Sequence, residues 1–592
     1  MNPSGKQNFY PFGYPFIKKA STFSTKSSSF SSIGGENAYD YIVVGGGTAG
    51  CPLAATLSQN FSVLLLERGG VPFANPNISY LSNFHMTLAD TSPTSASQYF
   101  ISTDGVLNSR GRVLGGGTSI NAGFYTRAST RFIKKVGWDE KLVNESYPWV
   151  EKQIVHSPKV APWQVALRDS LLDIGVSPFN GFTYDHVYGT KIGGTIFDQF
   201  GRRHTAAELL LSGNPQMLTV LVHATVQRFY LIHQGRVQRQ WESYSKMKMM
   251  LLLSGIGPRA ELKRMRIPLV LDNEFVGKGM ADNPLNTIFV PSKRPVQQSL
   301  IRTVGITKFG VYIEASSGFG QSNDSIHFHH GMMSAEIGQV STIPPKQRTP
   351  EAIQAYIKRK KDLPHEAFKG GFILEKLARP ISTGHLSLIN TNVDDNPSVT
   401  FNYFKHPKDL HRCVHGIRMA TKVVQSEYFT NFTQCDNQTV EKILNMSVAA
   451  NVNLVPKHPN DTNSLKQFCK DTVITIWHYH GGCHVGKVVT PGYRVIGIQR
   501  LRIVDGSTFD ESPGTNPQGT VLMMGRYMGL KILRKRLGIP TYFPILPEIS
   551  LVSQKPVEPS RNRKIRVGTI LGVHGKVGDS NGVGVPGKQK QK

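Results

Sequence analysis

The sequence predicts an α/β fold, a parallel-sheet domain interrupted by an inserted α+β unit. Three observations predict it. Tyr41 to Val44 is a short apolar run of the kind found in strands buried on both faces. Gly45, Gly47 and Gly50 follow in G-x-G-x-x-G spacing, and a helix-compatible stretch runs from Cys51 to Asn60. Phe61 to Glu67 then reads as a second strand ending in an acid. Strand, glycine turn, helix and strand form a Rossmann-like βαβ unit that holds a dinucleotide. The glycines let backbone approach the pyrophosphate, which sits on the free N–H groups and dipole of the helix N-terminus. Glu67 stands about 20 residues beyond the first glycine, where an acid meets the ribose hydroxyls.

The 592 residues are 39% apolar and 18% charged, a globular composition long enough for two large domains. The formal charge of +28 suggests an anionic partner, but no helix-turn-helix, zinc-finger or RNA-binding motif accompanies it, and no nucleic-acid role is expected. Part of the charge is local: residues 551–592 hold nine Lys or Arg against Glu558 and Asp579. The five cysteines (Cys51, Cys413, Cys435, Cys469, Cys483) show no metal spacing; Cys413 with Cys435, or Cys435 with Cys469, could pair. No apolar run is long enough to cross a bilayer. The first residues lack the apolar core of a secretory signal, whereas sequons at Asn60, Asn77, Asn144, Asn323, Asn431, Asn437, Asn445 and Asn460 would matter only on the secretory route.

Taken in order, residues 1–37 are Ser-rich and expected to be disordered, and residues 38–284 form the first part of the nucleotide domain. A second glycine-rich stretch runs from Gly111 to Gly123, where small side chains allow close approach to a flat or anionic ligand. Leu218 to Val226 reads as strand material. Residues 285–470 mix strand-like and helix-like segments, including helices over 353–361 and 411–426 and a turn entering a strand at Gly384 to Ile389, and form the inserted α+β unit. Residues 471–540 return to the first domain. Residues 541–592, rich in Pro, Gly and Lys, are expected to be a disordered basic tail.

Four segments together resemble the glucose-methanol-choline (GMC) flavin oxidoreductases, most closely the plant HOTHEAD-like and mandelonitrile-lyase-like branch. They are 40–70, 111–127, 251–258 (Leu-Leu-Leu-Ser-Gly-Ile-Gly-Pro) and 477–525. The resemblance covers about residues 38–538. It implies FAD. Matched by motif, Gly45, Gly47, Thr48, Ala49 and Gly50 would meet the pyrophosphate, and Glu67 the adenosine ribose with Arg68 beside it. Val113, Gly117, Asn121, Ala122, Gly123 and Phe124 would line the isoalloxazine and phosphates, and Val226 would meet the adenine through its backbone. Asp505, Gly506, Asn516, Pro517 and Gln518 would close over the flavin, with Trp477 and His478 beside it.

The chemistry is expected at Trp477-His478-Tyr479-His480-Gly481-Gly482-Cys483-His484. No carboxylate or cysteine pair completes a zinc pattern, so no metal is expected. His478 fits the family's catalytic position, and its partner falls at Asn516. Oxidising an alcohol requires removal of the hydroxyl proton while hydride leaves the same carbon. A neutral His suits the first task near its ordinary pKa of about 6.5. The amide of Asn516 can donate to the developing alkoxide. A small-molecule alcohol, by resemblance a long-chain hydroxy fatty acid, is the expected substrate. Some relatives instead cleave cyanohydrins over FAD that does not cycle; those lyases place a Tyr before the Trp-His pair and a second His where this chain has Ile476 and Asn516. The chain also departs from the family before Leu251: Arg236 to Lys246 runs almost directly into it, where the family places a strand and a G-x-x-G-T/S-P-Q turn. An inactive relative that no longer holds FAD is the third expectation.

Overall fold

The computed structural model describes residues 14, 16–20, 39–73, 75–90, 92–229, 232–233, 236–237, 247–318, 370–433 and 455–539. The helix expected over 353–361, Cys435, most of the apparent deletion near 241–250 and the tail at 541–592 lie outside them.

The elements that position the site begin with β1 (Ile17–Lys19), β2 (Tyr41–Val44), α1 (Gly50–Leu57) and β3 (Val63–Leu66). Next come α2 (Glu140–Ile154), α3 (Pro162–Asp173), β4 (Phe179–Phe182), β5 (Gly189–Ile192) and β6 (Leu218–Val222). The inserted part adds β7 (Pro284–Pro291), β8 (Thr303–Ile306), β9 (Val311–Ser317), β10 (Gly370–Leu377) and α4 (Pro407–Gln425). The chain returns through β11 (Ile474–Thr475) and α5 (Gln518–Leu537).

A four-stranded parallel sheet, ordered β1-β6-β3-β2, carries the βαβ unit. Every residue of β3 is buried, because β3 is paired on both sides. In β2 only Val43 is buried, and among the described residues β2 pairs only with β3. At the end of β2, Gly45 takes φ +96°, a conformation that a side chain disfavours, and its N–H bonds Leu66 O at 2.8 Å. Where the sequence predicts no regular structure in residues 1–37, the structure places β1. The cause is aromatic: Phe16 is buried in the core and Tyr14 stacks on Phe73, 4.7 Å between ring centres.

The second sheet has seven strands in the order β11-β7-β10-β9-β8-β5-β4. It is broader than the inserted unit predicted over 285–470, because β4 and β5 join it from before residue 193 and β11 from after residue 473. Side chains alternate across it. Val311, Ile313, Ile373 and Leu377 pack under α3 and α4, while Tyr312, Phe372 and Leu374 face the glycine-rich stretch, with Phe124 and Ile120. Helix α4 spans the stretch predicted over 411–426. It is tied to the following segment by a Cys413–Cys469 disulfide, a pairing that is neither of the two named from the sequence. Both sulfurs are fully buried where α4 meets the helix Thr462–Asp471. Among the described residues no helix is long and apolar enough to cross a membrane.

Candidate active site

The two glycine-rich stretches lie against each other. Gly115 N donates to Gly46 O at 2.6 Å and Leu114 N to Gly70 O at 2.9 Å. Together they form one wall of a cavity of about 590 Å³. A methyl group at Gly47 or Gly117 would clash with nothing, its nearest neighbours being Gly116 Cα at 3.9 Å and Thr48 Oγ1 at 3.6 Å. That hollow, facing the N-terminus of α1, fits a dinucleotide pyrophosphate. The opposite wall arrives from the far end of the chain. Helix α5 lies on α1 at Gly525, where a Cβ would stand 2.3 Å from Ala49 O, and this packing carries Asn516, Pro517 and Gln518 to the cavity.

Of the residues matched by motif, Gly45, Gly47, Thr48, Ala49, Gly50, Glu67, Arg68, Gly117, Asn121, Ala122, Gly123, Phe124, Trp477, His478, Asp505, Gly506, Asn516, Pro517 and Gln518 all line this one cavity. Val113 and Val226 do not. Val113 is buried among Ile120 and Phe124, and Val226 packs with Leu66, Leu221 and Ala224. Glu67 is buried, its carboxylate accepting Gly46 N at 3.0 Å and Gly69 N at 2.8 Å. Burial pushes its carboxyl up, against those backbone N–H groups and Arg68.

His478 reaches the cavity from the turn after β11. Burial, and then the charges of Lys376 and His480, hold its pKa well below the ordinary histidine value, so the ring is neutral at physiological pH. Its Nδ1 lies 3.2 Å from Asn283 Nδ2 and 3.4 Å from Tyr312 Oη, and its backbone N–H donates to Asp282 Oδ1 at 3.0 Å. Asn516 is buried, and its Oδ1 has no hydrogen-bond partner among the described residues. The Asn516 side chain also bears on Glu314, whose carboxyl burial pushes up against Lys376 and Asn516. Glu314 and Lys376 form a fully buried ion pair on the sheet face turned to the site. Asp282, Asn283, Tyr312, Glu314 and Lys376 were not legible as site residues. Asp282 and Asn283 stand in a linker-like Gly-Lys-Gly-Met-Ala-Asp-Asn-Pro stretch, and the other three are ordinary strand positions until the sheet is assembled.

Two family models, both described as GMC oxidoreductase, match residues 39–162 and 380–525. The chain is 66% identical over 561 residues to the protein HOTHEAD of Arabidopsis thaliana, across 90% of this chain and 94% of that one. It is 38% identical over 531 residues to (R)-mandelonitrile lyase 1 of Prunus serotina, across 85% and 88%. The fold is that of pyridoxine 4-oxidase from Mesorbium loti, with TM-score 0.65 and 18% identity over 84% of this chain and 99% of that one. A dinucleotide cradle, a Trp-His turn and a closing Asn-Pro-Gln segment thus coincide with sequence likeness along nearly the whole chain. The chain belongs to the GMC oxidoreductase family, whose members carry FAD.

Proposed function

We propose that the chain is an FAD-dependent oxidoreductase acting on the CH–OH group of an alcohol. The observation that carries this reading is the joint exposure of His478, Asn516 and the glycine cradle to one cavity. FAD, when bound, supplies the hydride acceptor. His478, neutral and with its Nε2 bonded to no described residue, takes the hydroxyl proton. Asn516 steadies the developing alkoxide through its amide N–H. Gly45, Gly47 and Gly50 hold the pyrophosphate, Glu67 the ribose, and Gln518 and Asn121 the C-terminal closure. The seven-stranded sheet and its helices form the substrate-binding unit. The apolar walls given by Leu88, Phe100, Ile301, Val399 and Phe401 favour an aliphatic or aromatic alcohol, and a long-chain hydroxy fatty acid is the substrate we propose.

Likeness to lyases makes cyanohydrin cleavage the second reading, but Ile476 and Asn516 stand where the lyase pattern has Tyr and His, which favours oxidation. The test is anaerobic mixing of the purified flavoprotein with an ω-hydroxy fatty acid. Bleaching of the flavin absorbance supports oxidation. Cyanide release from mandelonitrile without bleaching supports the lyase, and a colourless protein that takes up no FAD sinks both in favour of an inactive relative.

A further inference from the structure

Trp477 and His478 sit in a backbone geometry that needs holding. Trp477 has φ +58°, the left-handed region that a residue with a Cβ rarely adopts. The neighbouring donors and acceptors account for it. Thr475 Oγ1 accepts Trp477 N–H at 2.7 Å, and Asp282 Oδ1 accepts His478 N–H at 3.0 Å. The other carboxylate oxygen, Oδ2, accepts the hydroxyls of Thr475 at 2.6 Å and Tyr403 at 2.5 Å. One residue earlier, Ala281 and His480 exchange backbone hydrogen bonds at 3.1 and 2.8 Å. Asp282 and Thr475 are almost fully buried, so water cannot replace these contacts.

The next residue, Asn283, meets the imidazole itself. Its Nδ2 lies 3.2 Å from His478 Nδ1, 3.2 Å from Ser512 Oγ and 3.3 Å from Thr515 O. Thr515 O can only accept, and Ser512, whose own proton goes to Gly514 O, accepts too, so these two take the two amide protons and Nδ2 braces the ring without donating to it. Tyr312 gives its O–H to the same carbonyl at 3.2 Å, so its oxygen, 3.4 Å from His478 Nδ1, accepts the Nδ1 proton and leaves Nε2 with the lone pair. Every hydrogen-bond contact of the ring with a described residue therefore falls on Nδ1.

Resting on the functional reading above, we propose that Asp282 and Asn283 are the positioning residues of His478. Asp282, with Thr475, holds the left-handed turn that delivers the ring. Tyr312 accepts the Nδ1 proton, Asn283 braces the ring and the Thr515 carbonyl that orients Tyr312, and Nε2 is left as a lone pair for the substrate proton. Neither Asp282 nor Asn283 touches the reacting atoms. Their contribution is to keep the base within the small displacement that proton transfer tolerates, since an error of about 1 Å costs on the order of 100-fold in rate.

The test uses the full-length flavoprotein and four variants. Thr475→Val keeps the side-chain volume and removes the relay hydroxyl, Thr475→Ser keeps the hydroxyl, and Asp282→Asn and Asn283→Ala remove the two positioning groups. We expect kcat to fall about 10- to 100-fold in Thr475→Val, Asp282→Asn and Asn283→Ala, with KM and bound FAD within about twofold of the parent, and Thr475→Ser to stay near the parent. An independent readout needs no turnover: ¹⁵N spectra of histidine-labelled protein, with the His478 ring identified by its loss in His478→Gln. The parent should show one well-defined ring state, and Asp282→Asn and Asn283→Ala should shift or broaden it. Losses of kcat that merely follow loss of FAD or of folded protein, or ring spectra unchanged in both variants, would overturn the proposal. If the parent turns over no alcohol, the functional reading fails and the ring spectra alone decide the positioning claim.

Discussion

Asn121 Nδ2 donates to Gln518 Oε1 at 2.5 Å, joining the second glycine-rich stretch to the first residue of α5 across 397 positions of sequence. Gln518 Nε2 continues to Phe124 O at 3.1 Å, and both ends of this link line the same cavity as the glycine turn. Replacing Gln518 with Leu leaves the Asn121 amide and the Phe124 carbonyl without that partner. Each buried polar group left unpaired costs about 1–3 kcal/mol. The variant should fold but purify with a smaller fraction of bound FAD and a lower melting temperature. Full flavin occupancy in Q518L would show that the link does not hold the cofactor site closed.

His478→Ala should remove the base and leave the cradle. A positioned general base contributes roughly 10²- to 10⁴-fold. Turnover should fall by at least that lower factor while the flavin spectrum and its intensity per mole of protein stay as in the parent. Retained turnover with normal loading would refute the role given to His478.

The pH dependence follows from the lowered pKa of His478. The base must be neutral to act, so kcat/KM should stay level from neutral pH down past 6.5, with its acid limb below the ordinary histidine value. The effect on stability has a definite sign. The unfolded chain takes up this proton near pH 6.5 while the folded protein resists it. The contribution is therefore complete above that pH and is lost as pH falls. Asp282 acts oppositely: burial lifts it to about 6 against the hydroxyls of Thr475 and Tyr403 and the His478 N–H, so its contribution is complete at low pH and lost as pH rises through about 6. Urea midpoints of His478→Gln should gain on the parent as pH drops below 6.5, and a constant difference between the two would count against the assignment.

Cys413→Ser removes a bridge between positions 56 apart. A loop of that length corresponds to about 4 kcal/mol of unfolded-state restriction in the chain-entropy model. Calorimetry of the oxidised parent, the reduced parent and C413S should give two coincident lower melting temperatures for the last two. Identical melting of all three would mean that the helices hold that corner without the bridge.

The strand–turn–helix–strand unit was readable because it is local: its parts fall between Tyr41 and Glu67, and backbone constraints alone dictate glycine at Gly45. His478 and Asn516, which meet at one cavity, could be singled out as candidates because their neighbours form a dense motif. Asp282 and Asn283 were not, since what makes them part of the site is the return of residues 475–480 beside them, a contact across nearly 200 positions. Cys413–Cys469 escaped for the same reason: spacing along the chain says nothing about two helices meeting in space. Strand β1 was missed because Ser-rich flanks mask the few aromatic residues, Tyr14 and Phe16, that anchor it.

The packing of α5 on α1 has a consequence for biosynthesis. Ala49 and Gly525 are neighbours in space but lie at opposite ends of the message. Translation proceeds at about 5–20 residues per second, so the nascent chain waits tens of seconds between making the glycine turn and making its cover. Closure across so long a loop is also slow in itself. The glycine turn therefore cannot receive its cover before Gly525 has been made.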